Sequence, residues 1–158
     1  GYSLTFNWPL MTMNPLLLDN QLCFSLYSTS LAVTQIYKPL LEPLGLTYPQ
    51  YLIMLILWEK EGLGLKDICE RLSQKPGALT PVIKRMEKDG LVLRQKNAKD
   101  ERQLEIYLTD HGRSLKTEAL AVNACLVSSC NLSLDDLNEL KTRLDQLRSQ
   151  LNSINPAN

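Results

Sequence analysis

Two groups of side chains in this sequence have the types and spacing to do chemistry: four cysteines and a run of cations. The cysteines are Cys23, Cys69, Cys125 and Cys130. Sulfur can bind metal, attack electrophiles or be oxidised. A structural zinc site needs four ligands at short, regular spacing. No C-x-x-C is present and His111 is the only histidine, so no metal site is expected. Thiols in a chain with no visible export signal are expected to be reduced by default.

The cations are concentrated. Lys75, Lys84, Arg85, Lys88, Arg94, Lys96, Lys99 and Arg102 are offset within residues 75–102 only by Glu87, Asp89, Asp100 and Glu101, so that stretch is net +4. The whole chain is neutral, with 17 basic and 17 acidic residues, so the remainder is net −4. A neutral chain has no global field to draw in a polyanion, whereas a positive patch on one helix and one hairpin is the footprint of a DNA reader. Candidate contacts are Lys75, Gly77, Thr80, Lys84, Arg85, Arg94 and Arg102, with Asp100 bracing the Arg102 guanidinium. Thr80 and Lys84 are four apart and share a helix face. Such a helix fits the major groove with its N-terminal residues toward base edges, and Arg102 then reaches the adjacent minor groove.

These residues need elements to position them. Asp19 or Asn20 is expected to cap a helix to about residue 41, with an apolar stripe through Leu22, Leu26, Leu31, Val33, Tyr37 and Leu40. Pro43 to Leu46 break it. Thr47 caps a second helix with Pro49 in its first turn, and YLIMLILWE behind it is apolar nearly all round, so it should be buried. Gly62 and Gly64 end it. A short helix over 65–72 turns Ile68 and Leu72 inward. After a turn at 73–76, a helix over 77–89 carries Leu79, Val82, Ile83 and Met86 and stops at Gly90. Segments 91–95 and 103–108 alternate like strands, giving a two-stranded ribbon with a polar tip. Thr109 caps a helix through Leu115, Leu120 and Val122 to about residue 127. Ser133 and Asp136 cap a last helix with leucines every three or four residues.

The fold expected is mainly α with a small β-ribbon: a winged helix-turn-helix with helical dimerisation extensions. Residues 47–108 form the winged DNA-binding part, 18–46 and 109–154 the helical dimerisation region, and 1–17 an N-terminal segment. Residues 1–10 read as lying upstream of the natural start, Met11 or Met13. With 158 residues and 44% apolar content, one domain with extensions can bury a core. The outer helices have more apolar stripe than one small domain needs, which points to a homodimer. No apolar run approaches the roughly 20 residues that span a bilayer, and the first basic residue is Lys38, too late for a secretory n-region. A cytoplasmic chain without membrane contact or cofactor is expected.

Assembled, these residues resemble the MarR family of winged-helix regulators, and within it the organic-hydroperoxide-resistance branch. The resemblance is carried by L-C-F-x-L-Y-S, Y-K-P-L-L and L-T-Y-P-Q-Y, then by LTPVIKRMEKDGLV, D-E-R, L-T-x-x-G-R and LSLDDLNEL. It covers nearly everything after residue 17. It implies a homodimer that represses peroxide-detoxification genes on double-stranded promoter DNA and lets go when an organic hydroperoxide oxidises its N-terminal cysteine. The sensing position falls on Cys23. The tyrosines that hydrogen-bond the thiolate fall on Tyr37 and Tyr48, and the minor-groove arginine on Arg102. Some members use a resolving cysteine of the other subunit from the region where Cys125 and Cys130 lie; position favours Cys125. Cys69 reads as structural. One departure is S-Q-K-P-G-A-L-T at residues 73–80, where the branch more often has an acidic residue and serine before the glycine. It bears on the operator sequence rather than on the fold.

Physical chemistry constrains that sensor. Helix N-termini and hydrogen-bond donors favour a thiolate, and Cys23 lies about four residues past the expected cap. A phenol stays protonated near neutral pH and donates. Cys23 and Tyr37 are fourteen residues apart, about 21 Å along one helix, so their meeting requires the partner chain. The competing readings are a regulator of the same family that binds a small aromatic ligand between the first two helices, a thiol peroxidase, and an interaction module using its leucine stripes alone. No peroxidase motif is present and the basic wing would be idle in an enzyme, so no catalytic activity is expected.

Overall fold

The computed structural model describes residues 14–154; the expectations for residues 1–13 lie outside the described residues. The elements run α1 (Leu22–Leu41), α2 (Tyr48–Glu59), β1 (Leu63–Gly64), α3 (Leu65–Leu72), α4 (Pro76–Lys88), β2 (Val92–Lys96), β3 (Leu104–Leu108), α5 (Asp110–Ser129) and α6 (Leu134–Ile154). The chain divides into two units at Ile36/Tyr37.

In the first unit a 3-10 turn, Leu18–Asn20, leads into α1. The expected cap at Asp19 or Asn20 is corrected here, because both residues lie inside that turn. The Asn20 amide donates to the Asn14 carbonyl at 2.8 Å and the Gln21 amide to Pro15, so these side chains close the turn instead of capping the helix. Cys23 therefore sits in the first turn of α1, closer to the free backbone N–H groups than the sequence suggests. Leu22, Leu26, Leu31 and Ile36 are exposed along the helix.

The second unit is built on α2. Thr47 Oγ1 accepts from the Gln50 N–H, and Gln50 Oε1 accepts from the Thr47 N–H, a reciprocal cap with Pro49 in the first turn. Ile53, Met54 and Leu57 are fully buried, as the all-round apolar run requires. The helix ends at Glu59, before the glycines. Gly62, at φ 77°, then turns the chain into β1, whose Leu63 lies opposite Ile106. The ribbon is thus a three-stranded antiparallel sheet, order β1-β3-β2, with Val92 opposite Leu108. Two residues are too few to display strand alternation, so β1 was invisible to periodicity.

α3 buries Ile68 and Cys69, and α4 buries Leu79, Ile83 and Met86. Between them Ser73 takes the left-handed region at φ 53°. Gly90, at φ 74°, closes α4: its N–H bonds Glu87 and the Leu91 N–H bonds Met86, the paired bonds that let a helix stop sharply. Thr109 Oγ1 accepts from the Gly112 N–H to start α5, and Ser133 Oγ from the Asp136 N–H at the start of α6. On α5 the buried face is Leu115, Ala119 and Val122; Leu120, expected inward, is 70% exposed because it lies about 100° round the helix from Ala119. No residue of α6 is buried.

A polar clamp holds the root of α5. Glu61 accepts from Arg113 Nη2 at 2.9 Å, Arg113 Nε at 3.0 Å and the Leu108 N–H at 2.8 Å, while Trp58 Nε1 donates to the Gly112 carbonyl at 3.0 Å. The Arg113 guanidinium, with the Leu108 N–H, holds the Glu61 carboxyl below its usual range. A carboxylate depressed in the folded state stabilises the fold above its unfolded pKa and loses that contribution as pH falls through the folded value. Glu61→Gln is therefore expected to lower the unfolding free energy measured by urea titration at pH 7, by up to about 1 kcal/mol for so exposed an ion pair, with the gap to wild type closing by pH 3. Equal gaps at both pH values would rule the clamp out.

Among the described residues no single helix is long and apolar enough to cross a membrane, and no group of three or more His, Cys, Asp or Glu is placed to hold a metal ion.

Candidate functional site

The end of α1 and the start of α2 bring three phenols together. Tyr37 and Tyr48 have ring centroids 4.9 Å apart, Tyr51 lies 5.3 Å from Tyr37 and 6.4 Å from Tyr48, and Trp58 meets Tyr51 edge-on at 6.4 Å. Tyr37 and Tyr51 are buried and Tyr48 is half-buried. Burial first, then the neighbouring Tyr51, Tyr48 and Cys130, pushes Tyr37 well above the usual phenol range; burial raises Tyr48 and Tyr51 as well. All three therefore remain O–H donors at neutral pH. Tyr51 was not singled out from the sequence. Its signal was available: it falls one helical turn after Tyr48, on the same face.

The thiols are distributed as follows. Cys23 is exposed in the first turn of α1, its Sγ 3.9 Å from Gln21 Oε1. Cys69 is buried in α3, and burial pushes its thiol up, away from reactivity. Cys125 is exposed on α5. Cys130, at the end of that helix, is also exposed and donates its S–H to the Leu126 carbonyl at 3.4 Å.

The basic stretch divides into free and engaged cations. Lys75 occupies the N-cap position of α4, with no side-chain cap bond, and Gly77 faces open space. Lys84 is exposed and in no ion pair among the described residues. Arg85 pairs with Asp89 at 3.3 Å on the surface. Two further candidates also hold bonds within the fold. Thr80 Oγ1 donates to the Pro76 carbonyl at 2.7 Å, and its side chain lines a small cleft with Leu65, Ile83 and Ile106. Arg94 donates to Glu87 at 2.7 Å across the α4–β2 turn and lines the same cleft, so it braces the wing against the helix.

At the wing tip Asn97 Oδ1 accepts from the N–H groups of Lys99 and Asp100, and Asp100 Oδ1 accepts from both the N–H and Nε of Arg102, at 3.1 and 3.3 Å. The turn is stitched by its own side chains. Arg102 stands on it with its side chain 92% exposed.

A helix-turn-helix whose second helix carries free cations, followed by a sheet with an arginine-tipped hairpin, defines a winged-helix protein of the DNA-binding type. Comparison with known proteins agrees. The family described as transcriptional regulator SarA/Rot matches residues 35–119. The chain is 44% identical over 138 residues to the organic hydroperoxide resistance transcriptional regulator of Bacillus subtilis (strain 168), covering 87% of this chain and 94% of that one. Among solved structures it is similar to AbfR of Staphylococcus epidermidis: reduced and bound to DNA (TM-score 0.74, 38% identity, covering 87% of this chain and 94% of that one), and with its disulfide formed (TM-score 0.59, 38% identity, 87% and 91%). The chain belongs to the MarR-type winged-helix transcriptional regulators, in the organic hydroperoxide resistance branch.

Proposed function

We propose that this protein is a redox-sensing transcriptional repressor that binds promoter DNA as a homodimer and releases it when an organic hydroperoxide oxidises Cys23. The observation that carries this reading is that one chain holds both an exposed thiol in the first turn of α1 and, as a separate feature, a cluster of phenol donors built on Tyr37 and Tyr48. Fourteen helical residues span about 21 Å, so the thiol of one subunit meets the phenols of the other. The dimer has its surface. Among the described residues, every large exposed hydrophobic side chain except Leu55 and Leu104 lies outside residues 47–108, on the N-terminal segment, α1, α5, α6 and the turn between the last two. Unpartnered apolar stripes on paired helices are what a two-fold interface covers.

On DNA, α4 enters the major groove with Lys84 toward bases or phosphates, Lys75 and the open Gly77 beside the backbone, and Arg102 in the minor groove. Arg85 exchanges its surface partner Asp89 for phosphate. Arg94 likewise exchanges its partner Glu87 for phosphate at the root of the wing. Such a regulator works in the cytoplasm, where promoter DNA lies. It needs no metal or cofactor.

The switching chemistry is a two-step oxidation. The Cys23 thiolate attacks the terminal oxygen of the hydroperoxide, the O–O bond breaks, and the alkoxide takes a proton and leaves as alcohol. Sulfur has lost two electrons and is a sulfenic acid. A thiol of the partner subunit then displaces water to form a disulfide. The peroxide is a stoichiometric signal, so no enzyme is invoked. Cys125 and Cys130 are the candidates for the second thiol. Both are exposed, and position in the sequence favours Cys125.

Cumene hydroperoxide is expected to abolish DNA binding and to give a covalent dimer on a non-reducing gel. Cys23→Ser should stay on DNA, and Cys125→Ser should lose the covalent dimer while Cys130→Ser keeps it. A monomer band with DNA still bound would overturn the reading. A second reading has one observation of its own: a cleft of about 460 Å³ whose lining includes Tyr37, Tyr51, Leu55, Trp58 and Leu120 with both Glu59 and Lys116, suited to a small aromatic ligand. Release of Cys23→Ser from DNA by such a ligand would select it.

A further inference from the structure

We propose that Glu105 is a positioning residue for DNA binding: it anchors a continuous hydrogen-bond relay that runs from the body of the sheet to Arg102 and holds that arginine in place for the minor groove. The inference rests on the minor-groove reading of Arg102 given above, and its test separates the two.

Glu105 is an acid in the middle of β3, on the wing that meets a polyanion. Charge alone counts against it there, because a carboxylate near phosphate offsets a cation. Among the described residues it is in no ion pair. Neutral donors hold it instead. Oε2 accepts from the Tyr107 hydroxyl at 2.7 Å, and Oε1 accepts from the side-chain amide of Asn97. All three side chains are half-buried.

Sheet geometry brings them together. Gln95 lies opposite Glu105 in the ladder, so Asn97, two residues on, is the diagonal neighbour of Glu105 on the same face. Tyr107 shares that face, two residues along β3. It is the face turned from the core, since Ile106 between them is buried. Gly62 makes room for the ring: a Cβ there would lie 3.1 Å from the Tyr107 hydroxyl oxygen. The inner end of the relay is thus packed on the backbone that follows α2.

The outer end is the tip. With its amide nitrogen engaged by Glu105, Asn97 presents Oδ1 to the N–H groups of Lys99 and Asp100, at 2.7 and 3.2 Å. Asp100 Oδ1 then accepts from the N–H and Nε of Arg102. Without Glu105 the Asn97 amide is free to rotate, the turn loses its anchor to the sheet, and Arg102 must be ordered at the moment of binding. A contact ordered beforehand binds more tightly than the same contact ordered on binding. Orientation outweighs charge here because salt screens the repulsion and leaves the ordering cost untouched.

The test uses the full-length reduced homodimer and a fluorescein-labelled duplex that the wild-type protein selects from a randomised pool, with affinity read by anisotropy at physiological salt. Glu105→Ala is expected to weaken binding about 3- to 10-fold, the size of one net hydrogen bond, although removing an acid predicts tightening. In an Arg102→Ala background the same substitution should cause no loss, because the relay then ends on no cation. Glu105→Gln leaves Asn97 an acceptor and should recover part of the affinity. Tyr107→Phe, which changes no charge, should weaken binding about twofold. Tighter or unchanged binding by Glu105→Ala, an equal loss in both backgrounds, or a Glu105→Gln affinity no better than that of Glu105→Ala overturns the relay while leaving Arg102 its role. If Arg102→Ala itself binds as wild type does, the minor-groove reading fails and the relay with it. The melting curve serves as the fold control. Should Glu105→Ala not fold, Tyr107→Phe carries the same cycle with Arg102→Ala, and an absence of coupling overturns the proposal.

Discussion

Replacing Gly112 by alanine is expected to lower the thermal midpoint by roughly 4–8 °C, a net loss of about 2 kcal/mol in a domain of this size. Gly112 opens the first turn of α5 against the turn that ends α4. A Cβ there would lie 2.3 Å from the Leu91 carbonyl oxygen and 3.3 Å from Leu108 Cδ2. The first obstacle is backbone and cannot swing aside. It is pinned as well, because the Leu91 carbonyl accepts from both the N–H and the hydroxyl of Thr109, at 3.1 and 3.2 Å. Overpacking of this kind costs about 1–3 kcal/mol, and the better helix propensity of alanine returns at most about 1 kcal/mol of it. The strain has a direction. It pushes the end of α4 and the start of β2 away from α5, so DNA affinity should fall with stability. Circular dichroism melting gives the first readout and electrophoretic mobility shift the second. A midpoint equal to or above wild type would show that the contact yields easily.

Arg102→Ala is expected to weaken promoter binding by about 5- to 150-fold while leaving the dimer intact, corresponding to the roughly 1–3 kcal/mol of one well-placed base contact. Nothing in the fold depends on this side chain, which is 92% exposed and contacts only Asp100. The loss should therefore appear in DNA affinity and not in the melting curve. Asp100→Asn separates geometry from charge. Removing an acid makes the patch more basic, and electrostatics alone predicts tighter binding. If Asp100 presents the guanidinium through its two bonds to Arg102, binding weakens instead. Unchanged affinity of Arg102→Ala at physiological salt, measured by fluorescence anisotropy, would refute the minor-groove role.

Local signals in the sequence determined most of the elements. Thr47 with Gln50, Thr109 with Gly112 and Ser133 with Asp136 cap their helices through bonds within three residues, and Gly90 ends α4 through its own left-handed φ. Such bonds need no distant partner, so they can be read from a string of residues. The burial of α2 was equally legible, since a run that is apolar all round has no face to give to water. Which thiol sits in which chemical position was legible only through resemblance, because one cysteine at a helix start carries no local signal of its own.

Tertiary structure decided the rest. β1 is two residues long and exists because β3 offers it a ladder. Asp19 and Asn20 lose the α1 start to a 3-10 turn whose bonds reach back to Asn14 and Pro15. Arg94 and Thr80 hold bonds to Glu87 and the Pro76 carbonyl that their spacing in the sequence does not announce. Within the positive patch, Arg85, Arg94 and Arg102 are in surface ion pairs. Of the thiols and cations with which the sequence stood out, Cys23 lies in a first helical turn and Arg102 on a braced tip. The ring contacts of Tyr51 with Tyr37 and Tyr48 arise only from packing. The physical reason is one of range: caps and periodicity act within a turn or two of helix, whereas ion pairing, strand pairing and aromatic packing depend on segments that meet only when the chain has folded.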